Sequence, residues 1–193
     1  SAASDVYKRQ YLKNRSSYIL DFGSGDAFVI SQIKKENDKF NFIAIDKYYN
    51  PIQINKLKQV LETKNVHNNI ESIDIGKNKI EVVLILDVLE HVKRPVITLN
   101  QLKKMRFLSK NCTFIITVPS FQFLFTKHDK ILGHHRRYNL ALLEKTVTSA
   151  GFNINEKGYF FHSILIIRLF EKLAEMIFSL SLIHISEPTR RKH

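Results

Sequence analysis

The chain has 193 residues, 44% of them apolar, with 30 Lys and Arg against 18 Asp and Glu and a formal net charge of +12. That length suits one domain with a real core, and the single cysteine, Cys112, excludes both a disulfide framework and a thiolate metal cluster. A basic balance can favour nucleic acid, anionic lipid or an acidic substrate. Here the charge is scattered through Lys34-Lys35, Lys56, Lys58 and Lys103-Lys104, with no Arg-rich block or interleaved aromatics. Solvated helix faces explain it as well, and the case for nucleic acid is weak.

The two ends read differently from the middle. Ser1 to Gln10 matches, codon for codon, an in-frame translation of a transposon-end sequencing adaptor, and Leu180 onward matches the opposite adaptor strand. Residues 1–10 and 180–193 are therefore expected to be scars. The domain is expected to span 11–179 and to be cut at its C-terminal end. Without a natural start, no secretory signal can be judged.

The first informative stretch is Tyr18-Ile-Leu-Asp-Phe-Gly-Ser-Gly-Asp-Ala27, followed by a helical pattern from Phe28 to Ile33. It predicts a buried strand, a glycine turn and a helix start. Gly23 and Gly25 permit positive φ and close ligand approach, and a helix N-terminus favours a carboxylate or phosphate. A nucleotide-type site is the expectation. The dinucleotide pattern G-x-G-x-x-G needs a small residue at position 28, where Phe28 stands.

A second strand is predicted over Phe40–Asp46, a helix over Ile52–Thr63, a third strand over Ile70–Asp74 and a fourth over Ile80–Asp87. Pro95 to Phe107 has the spacing of a helix with proline in its first turn. Cys112–Val118 reads as a fifth strand, with Cys112 as a buried filler. A long connection, 119–138, leads to a helix over Leu140–Ala150, and Phe152–Phe161 reads as a sixth strand. Alternating strands and helices predict an α/β, Rossmann-like, doubly wound and mostly parallel sheet of about six strands. Such sheets bind ligands at the carboxyl ends of their strands. Asp21, Asp46, Asp74 and Asp87 each fall where a predicted strand gives out. One acid alone would read as a helix cap; four in this arrangement read as a binding edge.

The pattern Asp21-x-Gly23-x-Gly25-x-Ala27, together with Asp87-Val-Leu-Glu-His-Val92 and a proline soon after, resembles class I S-adenosylmethionine-dependent methyltransferases. The branch it is most similar to is the small-molecule, ubiquinone-biosynthesis-like one. Leu132-Gly-His-His-Arg-Arg-Tyr138 and Ala150-Gly-Phe152 add to the likeness, which covers about residues 18 to 161. Ala27 stands where the family usually has a third glycine. The resemblance implies S-adenosylmethionine as cofactor. Asp21, Gly23 and Gly25 would hold its methionine part, Asp46 the ribose hydroxyls, Asp74 and Ile75 the adenine. Asp87, Val88 and Leu89 would floor the sulfonium. It also implies a seventh, antiparallel strand, which finds no candidate before position 180 and is expected to have been cut away.

Methyl transfer from a sulfonium requires alignment and no protein nucleophile. An oxygen acceptor must also lose a proton, for which histidine is suited at neutral pH. The 119–138 connection has the length of a lid or binding loop. In it His128 or His134 is the candidate base, and Phe121, Phe123 and Phe125 would exclude water. Arg136 and Arg137 would grip a carboxylate or phosphate, with Tyr138 beside the substrate. The alternative is equally open: histidines that cap turns, Asp129 paired with an arginine, and Tyr138 packed. His91 reads as ordering the turn after strand four, and no metal ligands are assigned. Strand four lacks an Asn- or Asp-Pro-Pro-aromatic ending, which by family resemblance favours a small-molecule oxygen or carbon acceptor, anionic or lipid-like in the leading case.

Ser163–Ser179 is amphipathic and carries four charges, too many for a comfortable membrane span. Packing on the sheet or lid is favoured over peripheral lipid contact, so a cytoplasmic location, with or without membrane contact, is expected. Two other readings stay open: a nicotinamide-dependent Rossmann oxidoreductase, and a non-catalytic basic module on the same fold. Oligomeric state is not legible.

Overall fold

The computed structural model describes residues 17–36 and 40–159. The chain divides into two compact units, with the boundary between Val118 and Pro119. The first holds strands β1 (Ser17–Phe22), β2 (Asn41–Ile45), β3 (Val66–His67), β4 (Lys79–Leu86) and β5 (Leu108–Thr117). These pair in the order β3-β2-β1-β4-β5, all parallel. Helices α1 (Phe28–Glu36), α2 (Pro51–Val60) and α3 (Pro95–Lys103) link them.

Both faces of the central strands are buried. Ile19, Phe42, Ala44, Val82 and Leu84 pack with Ala27, Ile30, Tyr49 and Leu61 in one cluster. Their strand neighbours Leu20, Ile43, Val83 and Ile85 are also fully buried. Two-sided burial is why these strands read as continuous apolar runs and not as alternation.

Local chemistry sets the helix starts. Asn50 caps α2 reciprocally: its Oδ1 accepts from Gln53 N at 2.9 Å, and Gln53 Oε1 accepts from Asn50 N at 3.0 Å. Pro51 and Pro95 occupy first-turn positions, where no N–H is needed. Leu99 and Leu102 anchor α3.

From β1 the chain builds outward through β2 and β3, then crosses to β4 and β5 on the other side of β1. The direction of winding therefore reverses between β1 and β4. In doubly wound sheets such a switch point, at the carboxyl ends of the strands, is where ligands bind.

The third strand lies at Val66–His67, where Val66 and His67 pair with Ala44 and Ile45, and not at Ile70–Asp74. The misplaced reading has a physical source. Ile73 and Ile75 are buried as alternate residues, but they anchor a loop, and Ile73 N bonds back to Ile70 O at 3.2 Å in a turn. The described sheet has five strands. Residues 152–159 of the expected sixth form none, and Phe160 and Phe161 lie outside the described residues. So do both expected scars, the 163–179 segment and any seventh strand.

The second unit, as described, runs from Pro119 to Tyr159. It contains a 3-10 turn (Gln122–Leu124) and helices α4 (Lys127–Ile131) and α5 (Leu140–Ser149). Ser120 bridges to Tyr138, tying the two ends of the connection together. Asn139 caps α5 through Oδ1 to Leu142 N at 2.7 Å. Among the described residues, no helix is long and apolar enough to cross a membrane.

Candidate functional site: an acidic rim around a glycine turn

The turn after β1 is held by its neighbour strand. Gly23 N and Ser24 N both donate to Ile45 O, at 2.7 and 3.0 Å. Gly23 has φ +78, and a Cβ built on it would lie 2.6 Å from Val88 Cγ2. Only glycine satisfies both conditions there. Val88, the second residue after β4, thus closes on the turn across the switch point.

Carboxylates ring this turn. Asp46 lies one residue past β2, and its Oδ2 accepts from Gly25 N at 3.1 Å while Oδ1 accepts from Tyr48 N at 2.9 Å. Asp26 Oδ1 accepts from Phe28 N at 3.0 Å, so the turn's own acid caps α1. Asp21 lies in β1, 3% exposed, and accepts no hydrogen bond from any described residue. Burial, then the negative charges of Asp46 and Asp26, push its carboxyl up to about 7.

Two residues with side chains adopt left-handed backbone on this rim, Ala27 at φ 57 and Asp87 at φ 53. Such conformations cost on the order of 1–3 kcal/mol and persist where surroundings impose them. Asp87 is fixed by Thr117, whose backbone O accepts from Asp87 N at 3.1 Å and whose Oγ1 donates to Asp87 Oδ1 at 3.3 Å.

The structure therefore gathers Asp21, Gly23, Gly25 and Asp46 around one turn, with Val88 against it. Asp87 and buried Leu89 follow β4. Asp74 and Ile75 sit in the loop that follows β3. Ile75 is buried there, and Asp74 is exposed, accepting from Gly76 N at 3.1 Å. Three contributors went unread in the sequence. Asp26 was legible as an acid just before a helix. Ser24 and Tyr49 join by a 2.8 Å hydrogen bond, and nothing in Tyr48-Tyr49 shows which ring turns inward.

In the second unit, Asp129 is the hub. Its Oδ1 accepts from Arg137 Nε at 2.9 Å and from His134 Nδ1 at 2.8 Å. Its Oδ2 accepts from Arg137 Nη2 at 3.0 Å, Thr126 N at 2.8 Å and Thr126 Oγ1 at 3.0 Å. Burial opposes the charged form of Asp129, yet the bonds from Arg137, Thr126 and His134 outweigh it and hold the carboxyl well below its usual range. The Arg137 guanidinium is buried and engaged in this fork. Arg136 is half-buried, Tyr138 is buried, and His128 lies exposed on α4. Phe123 is exposed, its ring 5.6 Å from that of Phe121. Phe121, at φ 64, stacks on Tyr159 with centroids 5.1 Å apart.

Comparison with known proteins gives the family. Residues 2–157 match the family model described as a methyltransferase domain. No curated protein sequence matches the chain. Among solved structures, a candidate methyltransferase from Bacillus halodurans C-125 is similar at 16% identity and a TM-score of 0.59, covering 98% of this chain and 87% of its own. Phosphoethanolamine N-methyltransferase 2 from Haemonchus contortus, in complex with S-adenosyl-L-methionine, is similar at 14% identity and a TM-score of 0.62. It covers 97% of this chain, which spans 45% of it. An O-methyltransferase family protein from Burkholderia thailandensis is similar at 12% identity and a TM-score of 0.59, with 82% of this chain covered and 52% of that one. The chain belongs to the methyltransferase-domain family and has the Rossmann-like fold of the S-adenosylmethionine-dependent enzymes.

Proposed function

We propose that the rim around Gly23 and Gly25 binds S-adenosylmethionine and serves methyl transfer to a small-molecule oxygen or carbon acceptor. One observation carries this reading: three carboxylates, Asp21, Asp26 and Asp46, surround a glycine turn whose helix N-terminus is already capped by Asp26. A pyrophosphate at that position would meet negative charge and an engaged N–H, which disfavours a nicotinamide dinucleotide. A donor carrying an ammonium and a sulfonium meets the opposite situation. Among the described residues nothing donates to the buried carboxyl of Asp21, and a cation would provide that partner.

When bound, S-adenosylmethionine supplies a methyl group activated by the positive charge on its sulfur. The chain's residues then have positional tasks. Asp21 and the Gly23–Gly25 turn hold the amino-acid end, and Asp46, with lone pairs left on both oxygens, takes the ribose hydroxyls. Asp74 and Ile75 lie to the adenine side. Val88 and Leu89 present apolar surface that excludes water near the sulfur, with Asp87 beside them.

For the acceptor, His134 has the better-built environment of the two candidate bases. Its Nδ1 is held by Asp129, which fixes the tautomer that leaves Nε2 as the basic nitrogen. His128 has no such orienting partner among the described residues. Arg137 is committed to Asp129; Arg136, Phe123 and Tyr138 are assigned to the acceptor group, with Arg136 as the candidate for anion recognition. Calorimetry with S-adenosylhomocysteine and with NAD tests the donor assignment. The expected outcome is binding of the first alone; binding of NAD alone would overturn it. Salt-dependent RNA binding without either cofactor would favour the non-catalytic module.

A further inference from the structure

Tyr49 has no role in the donor reading above, yet it reaches the rim from the core. Its ring is 5% exposed and packs in the cluster with Ile19, Ala27, Ile30, Phe42 and Leu61. Its hydroxyl meets Ser24 Oγ at 2.8 Å. Ser24 is the residue between the two glycines, where the backbone has the greatest freedom to move.

The other restraints on that turn are backbone bonds, the Asp46 carboxylate and the Val88 side chain against Gly23. Gly23 N and Ser24 N hang on Ile45 O, and Gly25 N on Asp46 Oδ2. The Ser24–Tyr49 bond is the one side-chain tie from the turn to the hydrophobic core among the described residues. It is a part-buried bond, and its loss would leave the phenol without that partner. Burial and the surrounding Asp46, Asp21 and Asp26 charges keep that phenol protonated, with its pKa pushed up to about 12.

We propose that Tyr49 is a positioning residue for the donor's amino-acid half, acting through Ser24 to set the turn that receives it. This rests on the donor reading above. The geometry makes the effect local. Tyr49 and Ser24 act on the turn, while the ribose and adenine depend on Asp46 and on the loop after β3.

The test uses two ligands and three variants of the full chain. S-adenosylhomocysteine carries the amino-acid half; 5′-methylthioadenosine has the adenosine and lacks it. In Tyr49→Phe and in Ser24→Ala, the dissociation constant for S-adenosylhomocysteine is expected to rise roughly 3- to 10-fold, the size of one hydrogen bond. That for methylthioadenosine should stay within about twofold of wild type. The double variant should be no worse than either single one, because both remove the same bond. Equal weakening of the two ligands would show a merely structural role and overturn the proposal, as would unchanged binding of both. Wild-type protein that binds neither ligand would overturn the donor reading, and the positioning role with it. Ser24→Ala, a small change outside the core, keeps the test valid if Tyr49→Phe folds poorly.

Discussion

Replacing Asp21 by Asn offers the sharpest physical test of the rim. An unfolded aspartate loses its proton near 3.8, and Asp21 in the fold loses it near about 7. Between those values the folded chain holds a proton that the unfolded chain has released. Stability must therefore fall as pH rises through this window and stay level above it. At about 1.4 kcal/mol per unit, a shift of this size is worth about 4 kcal/mol. Asp21 is almost fully buried, so solvent screening does not discount that figure. Asparagine keeps the shape and removes the charge. Below pH 4 the variant and the wild type should be nearly equal in stability. By pH 7 to 8 the variant should be more stable by several kcal/mol, read from urea denaturation at successive pH values. The same variant should bind S-adenosylhomocysteine at least about tenfold more weakly at pH 8, because the charge-assisted partner is gone. A stability difference that does not vary with pH, or a variant less stable at pH 8, would refute the assignment of a buried carboxyl with a raised pKa.

Gly23→Ala should destabilise by about 2–4 kcal/mol and abolish donor binding, since the methyl meets Val88 Cγ2 at 2.6 Å on a φ of +78; denaturation and calorimetry read the two effects. Ala27→Gly should be close to neutral, within about 1 kcal/mol, because relief of the left-handed strain at φ 57 is offset by unfolded-state entropy and a lost buried methyl. Arg137→Ala strands the buried Asp129 carboxylate and should cost about 3–5 kcal/mol in urea. Asp129→Asn should be destabilising at neutral pH and approach wild type in acid. A depressed carboxyl stabilises the fold above its unfolded value and loses that contribution as pH falls below about 4.

The sequence made the sheet legible because two-sided burial leaves unbroken apolar runs, and Ile19–Leu20, Phe42–Ile45 and Val82–Ile85 all carry that mark. It misled at the third strand, where Ile73 and Ile75 show strand-like alternation while lying in a loop. Two-residue β3 is too short to leave a pattern of its own. The rim was legible as far as it is local: Gly23, Gly25, Asp46 and Asp87 follow from chain order once the sheet is parallel, while Asp74 lies in a loop and not at a strand end. What joins residues across strands was not. The Ser24–Tyr49 bond spans 25 positions and Asp46 reaches 21 positions back to Gly25, and neither distance is written in composition or period. In the 119–138 connection, spacing offered Arg136 and Arg137 as equals. The fold separates them, because Arg137 forks onto Asp129.

A crystal structure with S-adenosylhomocysteine bound tests the donor rim most directly. The predicted result is the amino-acid end against Gly23–Gly25 and Asp21, with both ribose hydroxyls on Asp46. Ligand density away from that turn, or an Asp46 carboxylate that stays on Gly25 N and Tyr48 N without touching the ribose, would contradict it.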